Sequence, residues 1–204
     1  RRRRRPARAL CSPAADAAPA ATSESGDDPL SPDVILAIVT SLISDEAVNE
    51  LAWEALGYKK GPMELDAETM QAVQTWDASA VFPNWAKRYP EPPDLLGVTR
   101  KYEPEIDAPV KEANARLTRS VPMEHKKGLK DELKPLGWTG FKLDELTPNK
   151  TRRAQVANWL VYYKKELRGV SLEELKRRRE ERRKAELESD EPMAQTGTTA
   201  QAVV

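Results

Sequence analysis

The chain has 204 residues, and its 33 basic and 33 acidic side chains give a formal net charge of zero. This balance does not imply a whole-chain polyelectrolyte interaction with nucleic acid or membrane and leaves local charged patches open. Apolar residues make up 39% and charged residues 32%, which predicts one modest core with long polar extensions. The single cysteine, Cys11, excludes an internal disulfide, and the longest apolar run, Val34–Ile43, is too short to span a bilayer.

The first 29 residues differ in composition from the rest. Six arginines precede the first acidic residue, Asp16, and alanine and proline then dominate up to Thr22. An Arg-rich, acid-poor leader of this kind is typical of an organelle transit peptide. A nucleic-acid-binding arm and a plain solvated tail are the alternatives. We predict that residues 1–29 are a disordered remnant of a transit peptide that ends in an acidic linker.

Two helices are predicted at the start of a domain that spans residues 30–168. Ser31 is a good N-cap, and Pro32 suits the first helical position, where its missing N–H is harmless. Apolar residues then recur at helical spacing, so the first helix should run directly into a second one that Ser44 caps. Gly57 is a natural end for the second helix.

The next part of the chain breaks the helical pattern. Residues 65–74 predict either a short helix or an exposed insertion. Six prolines occur from Pro83 to Pro109 inclusive, and they exclude a long helix there because proline lacks an N–H group and restricts the residue before it. We expect Tyr89–Asp107, called the strap below, to run extended across the helices. Segments of this length without regular structure are often functional.

Three more helices complete the predicted domain. Pro109 and Pro122 start the first two, and Met123, Leu129 and Leu133 should face inward in the second of them. Thr147 with Pro148 repeats the cap-plus-proline signature for the third. The third has the cleanest apolar stripe of the chain. Its members are Val156, Trp159, Leu160, Tyr163 and Leu167.

The residues after the domain predict a charged helix over 169–188, followed by a disordered tail over 189–204. Ser171 and Glu174 form a capping box at the start of this helix. The helix has no apolar face beyond its first turn, so we expect it to project into solvent. An RNA-binding helix and a coiled-coil partner are the alternatives. The predicted fold class is therefore mostly all-α, with a proline-rich strap and a projecting C-terminal helix.

The side chains that carry chemistry are few. His125 is the single histidine and lies between charged neighbours, where a surface or capping role is the better interpretation. Cys11 lies in the leader, so neither a catalytic triad nor a clustered metal site is predicted. Phosphate-binding glycine loops are absent from the sequence. We therefore expect no enzyme, no catalytic residue, no metal and no cofactor.

The candidate binding residues lie at the start of the last core helix and on the strap. Lys150, Arg152 and Arg153 place three cations in the first turns of a helix, where they oppose the helix dipole. The alternatives for balancing them are the strap's own acids, a partner protein, or a phosphate of nucleic acid. We select both regions as the candidate partner-binding surface. Its members are Lys150, Arg152, Arg153, Tyr89, Glu91, Asp94, Arg100 and Tyr102.

Four segments carry a resemblance to a known family. They are DEAVNELAWEALGY (Asp45–Tyr58), YPEPPDLLGVTRKYEPEID (Tyr89–Asp107), Arg119–Lys126 and LTPNKTRRAQVANWLVYY (Leu146–Tyr163). Over residues 31–168 the chain resembles a small domain-of-unknown-function family (family eighteen-twenty-three) of cyanobacteria and plant and algal plastids. The resemblance implies a chloroplast location, in the stroma or peripheral to the thylakoid, and supplies no reaction or catalytic residue.

These observations together predict a non-catalytic plastid protein. We expect a binding, assembly or accessory factor for a protein complex, with a role related to photosynthesis. The alternative is a plastid RNA-binding protein that uses the basic helix start and the basic C-terminal helix. A protein partner is the favoured expectation, and no transmembrane segment is predicted.

Overall fold

The protein is described by a computed structural model that covers residues 28–65 and 70–189. The predicted leader, apart from its last two residues, and the predicted tail beyond residue 189 lie outside the described residues.

The described chain is mostly helical, as predicted. A two-stranded antiparallel sheet interrupts the helices, and a π-helical turn over Tyr163–Leu167 continues the sixth helix. The elements are α1 Pro32–Val39, α2 Asp45–Leu56, β1 Lys59–Leu65, β2 Ala72–Asp77, α3 Pro83–Ala86, α4 Pro104–Arg119, α5 Gly128–Leu133, α6 Pro148–Tyr162 and α7 Leu172–Ser189, with short 3-10 turns at Met123–His125, Lys134–Leu136 and Leu143–Glu145.

The first two helices begin where the capping signals predict. The Ser31 hydroxyl accepts a hydrogen bond from the Val34 N–H at 3.4 Å, and the Ser44 hydroxyl accepts one from Ala47 at 3.3 Å. The predicted direct junction between the helices is wrong. α1 ends at Val39, and residues 40–44 form a loop that leaves the Leu42 side chain 80% exposed.

The segment predicted as a helix or insertion after α2 is a hairpin. β1 pairs with β2 in antiparallel register, and a bulge lies between Lys60 and Met63. The base of the hairpin is held to α2 by an edge-to-face contact between Trp53 and Trp76, whose ring centroids are 5.2 Å apart. The short-helix alternative is therefore wrong, whereas the largely exposed strands fit the alternative of an exposed insertion, and Gly61–Pro62 lies within the bulge.

The strap is extended only over its first part. The chain enters α4 at Pro104, five residues earlier than predicted, so the last four residues of the strap are helical. Pro104 occupies the first turn, where no N–H is needed. Pro109 lies inside the helix, where it leaves the carbonyl of Glu105 without its usual partner. Both residues are exposed, so water can satisfy that carbonyl.

α5 is shorter than predicted. Pro122 begins a 3-10 turn rather than the helix itself, and Met123, which was expected to point inward, is 82% exposed. The helix proper starts at Gly128, and its inward residues Leu129 and Leu133 are buried as predicted. The sequence therefore predicts the buried side of α5 correctly, but the helix begins six residues later than Pro122.

α6 lies at the centre of the fold. It packs against α1, α2, α4 and α5. The predicted stripe residues Val156, Trp159 and Leu160 are buried, and Val161 and Tyr162 beside them are buried as well. A helix that is buried on most sides shows little amphipathic contrast, which explains why the stripe accounts for only part of its core surface. None of the described helices is long and apolar enough to cross a bilayer.

Candidate binding surface

Arg153 is placed by the cap of α6. The Thr147 hydroxyl accepts a hydrogen bond from the Lys150 N–H at 3.2 Å, which fixes the first turn. From there the Arg153 side chain enters the core and is only 2% exposed. Its Nε donates to Asp45 Oδ1 at 2.8 Å, and its two terminal nitrogens donate at 2.8 Å to the carbonyls of Ile38 and Ile43. One guanidinium thus ends α1 and holds the following loop.

Asp45 accepts hydrogen bonds from three side chains, two on α6 and one on the strap. Besides Arg153, the Asn149 amide donates to its Oδ2 at 3.1 Å, and the Arg100 guanidinium does so at 3.1 Å. Burial raises the pKa of Asp45, but the hydrogen bonds from Asn149 and Arg153, with the positive charge of Arg153, more than offset this, so its pKa is lowered below 3.8. Asp45 is therefore a buried carboxylate held in its charged form.

Arg152 makes a second internal ion pair. Its Nη2 donates to Asp107 Oδ1 at 2.6 Å, and its side chain is 6% exposed. Lys111 approaches the other oxygen of Asp107 at 2.9 Å. The hydrogen bond from Lys111, together with the one from Arg152, outweighs the burial of Asp107 and lowers its pKa. The Arg152 guanidinium also lies 5.9 Å from the ring centroid of Tyr102.

These contacts correct part of the predicted surface. Arg152 and Arg153 were selected as partner-binding residues, but both are buried and neutralised by the chain's own acids. One of those acids, Asp107, belongs to the strap, in agreement with the alternative that the strap's own acids balance these cations. The other, Asp45, was missed, because an acid in the first turn of a helix already has a local explanation in the helix dipole.

Asp94 also acts inside the fold rather than on its surface. Its Oδ1 accepts hydrogen bonds from the N–H groups of Leu96 and Gly97 at 2.9 Å, and its Oδ2 accepts from Val98 at 2.8 Å. The Asn49 amide donates to the same carboxylate at 2.9 Å. Asp94 therefore shapes the turn in the strap and is not free to bind a partner.

The underside of the strap is fastened to the helices through its main chain. The Trp53 indole donates to the carbonyl of Pro93 at 2.8 Å, and the Tyr58 hydroxyl donates to the carbonyl of Tyr89 at 2.6 Å. Asn114 on α4 donates to the carbonyl of Leu95 at 3.0 Å. Burial raises the pKa of Tyr58 to about 12, so its hydroxyl keeps the proton that it donates.

The outer side of the strap remains exposed. Glu91 is exposed, Arg100 keeps 61% of its side chain in solvent although it contacts Asp45, and Tyr102 is 44% exposed. Lys150 lies 5.7 Å from the ring centroid of Phe141 and is half-buried. We call Glu91, Arg100, Tyr102 and Lys150 the strap face.

Tyr89 belongs to a shallow groove beside the strap face. Its ring packs against Trp85 with the centroids 4.9 Å apart, so it is half-buried. The groove has a volume of about 370 Å³ and runs along the prolines between Arg88 and Asp94. Arg88 closes one side of it through an ion pair with Glu112 at 3.0 Å.

His125 lies in a different groove. Its ring packs against Tyr162 with the centroids 5.1 Å apart, its Nε2 lies 3.9 Å from Glu166 Oε1, and its side chain is 25% exposed. It is therefore less exposed than the predicted surface role required. Within residues 28–65 and 70–189, no group of three or more His, Cys, Asp or Glu side chains is arranged to hold a metal ion.

The fold and these surfaces define a mostly helical domain in which buried ion pairs bind a proline-rich strap to a central helix. Residues 29–165 match the family described as Domain of unknown function (DUF1823), and the chain belongs to that family. A protein solved by solution NMR is 35% identical, with 64% of this chain and 89% of that chain covered and a TM-score of 0.44. No curated protein matches the chain.

Replacing Arg153 should destabilise the fold more than replacing Arg100, the exposed donor to the same carboxylate. Arg153→Ala leaves Asp45 and two carbonyls buried without their main donor, so we expect a loss of about 3–5 kcal/mol in the free energy of unfolding. Arg100→Ala removes an exposed donor from the same carboxylate and should cost at most about 1 kcal/mol. Urea unfolding of the two variants measures the difference, and equal losses would contradict the assignment.

Acid should weaken the fold through Asp45 and Asp107. Their pKa values are lowered from 3.8 in the folded protein, so their contribution is complete above the unfolded pKa and is lost as the pH falls through the folded one. We expect the free energy of unfolding to decrease steadily below about pH 5. Asp107→Asn should reduce this slope, which urea unfolding of wild type and variant at a series of pH values measures. An equal slope in the two chains would contradict the prediction.

Gly97 should resist substitution more than another glycine of similar conformation. Its φ is +81°, and a Cβ there would lie 2.8 Å from Arg152 Nη1. Gly169 has a φ of +76° with no atom within 4 Å of the same position. Both alanine variants should lose about 1–2 kcal/mol to the left-handed backbone. Gly97→Ala should lose more, because it also displaces Arg152, and thermal unfolding of the pair tests this.

Proposed function

We propose that this chain is a non-catalytic chloroplast protein that binds a protein complex as an assembly or accessory factor, in the stroma or at the thylakoid periphery, in support of photosynthesis. The observation that carries the proposal is the strap, whose main chain is fastened from within while its outer side chains stay in solvent. A long segment without regular structure that is nevertheless held in one conformation is more typical of a binding element than of a simple connection between helices.

The fastened strap is suited to binding because its conformation is fixed in advance. A partner that docks on a mobile loop must also order it, and that ordering lowers affinity. Here the carbonyls of Tyr89, Pro93 and Leu95 already have side-chain donors. Proline at positions 90, 92 and 93 restricts the chain further. The strap face can therefore bind without a large entropic penalty.

The chemistry of the strap face favours a protein partner. Arginine and tyrosine are the side chains most often found at the energetic centre of protein interfaces, and here Arg100 and Tyr102 lie two residues apart. Lys150 adds a second cation at the start of α6. The complementary partner surface would present carboxylates around an apolar contact for the Tyr102 ring.

The chloroplast location is supported by two features of the sequence. The Arg-rich, acid-poor leader is typical of a transit peptide. The four segments that resemble a family of cyanobacteria and green plastids imply the same compartment.

The alternative function, RNA binding in the plastid, is less well supported by these contacts. It requires the basic helix start and the cations of α7 to face a phosphate backbone. Arg152 and Arg153 are buried in ion pairs. On α7, Arg177 and Arg178 pair with Glu174, and their hydrogen bonds lower the pKa of that carboxyl to about 2.

The proposal is tested by affinity purification of the tagged protein from chloroplasts, followed by quantitative mass spectrometry. The variant Glu91→Lys/Tyr102→Ala/Lys150→Glu changes only the outer strap face. The amount of partner subunits recovered with this variant should be at least tenfold lower than with the wild-type chain. Its thermal unfolding should stay close to that of wild type.

A matched variant on and after α5 controls for general surface effects. Lys130→Glu/Asp131→Lys/Leu136→Ala exchanges the same kinds of exposed side chain on and after α5. It should recover the subunits as the wild-type chain does. Equal recovery by all three chains would mean that the strap face is not the binding surface. Recovery that disappears with ribonuclease and falls steeply with salt would favour the RNA-binding alternative.

A further inference from the structure

A second groove separates the C-terminal helix from the domain. Its domain wall is formed by the end of α6 and the 3-10 turn before α5, and the groove has a volume of about 420 Å³. Tyr162 and Leu167 give this wall an apolar floor, and Glu124 and Glu166 give it an acidic rim with exposed fractions of 64% and 42%. This wall is complementary to an amphipathic segment that carries positive charge.

The opposite wall is α7, which presents a matching surface. Leu175, Arg178 and Arg182 lie at positions i, i+3 and i+7, so they share one side of the helix. Leu175 is half-buried at the groove, and Arg182 Nη1 lies 3.9 Å from Glu124 Oε1. Leu175 and Arg182 thus face the apolar floor and the acidic rim, whereas Arg178 pairs with Glu174 within the helix and Glu181 adds a carboxylate to this wall.

α7 fits this groove loosely. The Arg182–Glu124 pair is exposed on both sides, and exposed ion pairs contribute little to stability. The unfilled volume of about 420 Å³ shows that the helix does not pack closely against the wall. The stronger pairs of α7 lie within the helix, from Arg177 to Glu174 and Glu181, so they preserve its helicity without holding it in place.

The backbone at the rim of the groove is also unusual. Residues Tyr163–Leu167 form a π-helical turn, in which the N–H of Arg168 donates to the carbonyl of Tyr163 at 2.9 Å. A π-turn of this kind commonly ends a helix, and here it closes the α6 segment before the loop that leads to α7. This turn contains Glu166 and Leu167, which line the groove.

α7 lies outside the part of the chain that matches the family. The match ends at residue 165, seven residues before α7 begins. Glu124 and Tyr162 of the wall therefore belong to the matched domain, whereas Glu166, Leu167 and α7 lie beyond it.

We propose that this groove is a docking site for a basic amphipathic helix of a partner protein, and that α7 is a displaceable resident of the site. The partner helix carries a leucine or similar apolar residue with arginines or lysines three and seven positions later. The site is separate from the strap face, because Lys150 and Glu166 are 16 residues apart on one continuous helical segment, roughly 24 Å at 1.5 Å per residue.

The proposal is tested with the full chain and a labelled peptide of residues 171–189 as the probe. Leu175→Glu/Arg182→Glu removes the contacts of the resident helix and frees the groove. We expect this chain to bind the native peptide at least tenfold more tightly than the wild-type chain does, as measured by fluorescence anisotropy. The reason is that an attached helix competes at an effective concentration of about a millimolar.

Charge reversal checks that the peptide occupies the groove. Adding Glu124→Lys/Glu166→Lys to the freed chain should weaken binding of the native peptide at least tenfold. A peptide with Arg178→Glu and Arg182→Glu should recover affinity for that variant and bind the freed chain poorly. Glu124 is exposed and Glu166 is half-buried at the rim, so thermal unfolding should change little.

An unrelated alanine-rich peptide tests the class of partner. With leucine and two arginines at the same spacing it should compete with the probe, whereas its glutamate counterpart should not. The proposal is overturned if the freed chain does not bind the native peptide, if wall charge reversal has no effect, or if basic and acidic competitors act equally. None of these outcomes depends on the strap face, so the two binding surfaces can fail separately.

Discussion

The buried pair between Arg153 and Asp45 is the interaction on which the arrangement of this domain depends. It joins the central helix to α2, and the remaining donors of Arg153 hold the end of α1 and the loop before α2. Arg100 brings the strap to the same carboxylate. Buried charges are costly unless every polar atom is satisfied, so the elements that supply the partners must all be in place together.

This constraint decides which charges remain for function. The first turns of α6 would be a strongly basic surface if they faced solvent. Because Arg152 and Arg153 neutralise acids inside the fold, only Lys150 contributes to the surface there. The strap is positioned by the same pairs and carries its exposed side chains on the other side. The buried network and the proposed binding surface are therefore two sides of one segment.

Several elements could be predicted from the sequence because their causes are local. Ser31, Ser44 and Thr147 cap helices through their own hydroxyls within three residues, and Gly57 ends α2 with a φ of 102°. The hairpin and the start of α4 could not be predicted this way. Gly61–Pro62 interrupts the helical pattern without indicating which structure follows, and only pairing with β2 produces the hairpin and its bulge.

The sequence by itself determined a mostly helical domain, its capped helix starts, an ordered strap and the set of charged residues worth examining. Tertiary structure alone decided which of those charges are buried. Asp45 is 108 residues from Arg153, and nothing local to either residue distinguishes an ion pair from a solvated charge. Helical periodicity reports which side of a helix is apolar, but it does not report that a cation on another side meets a distant carboxylate. For this reason Arg152 and Arg153, which the sequence predicts as partner-binding residues, form buried ion pairs within the fold.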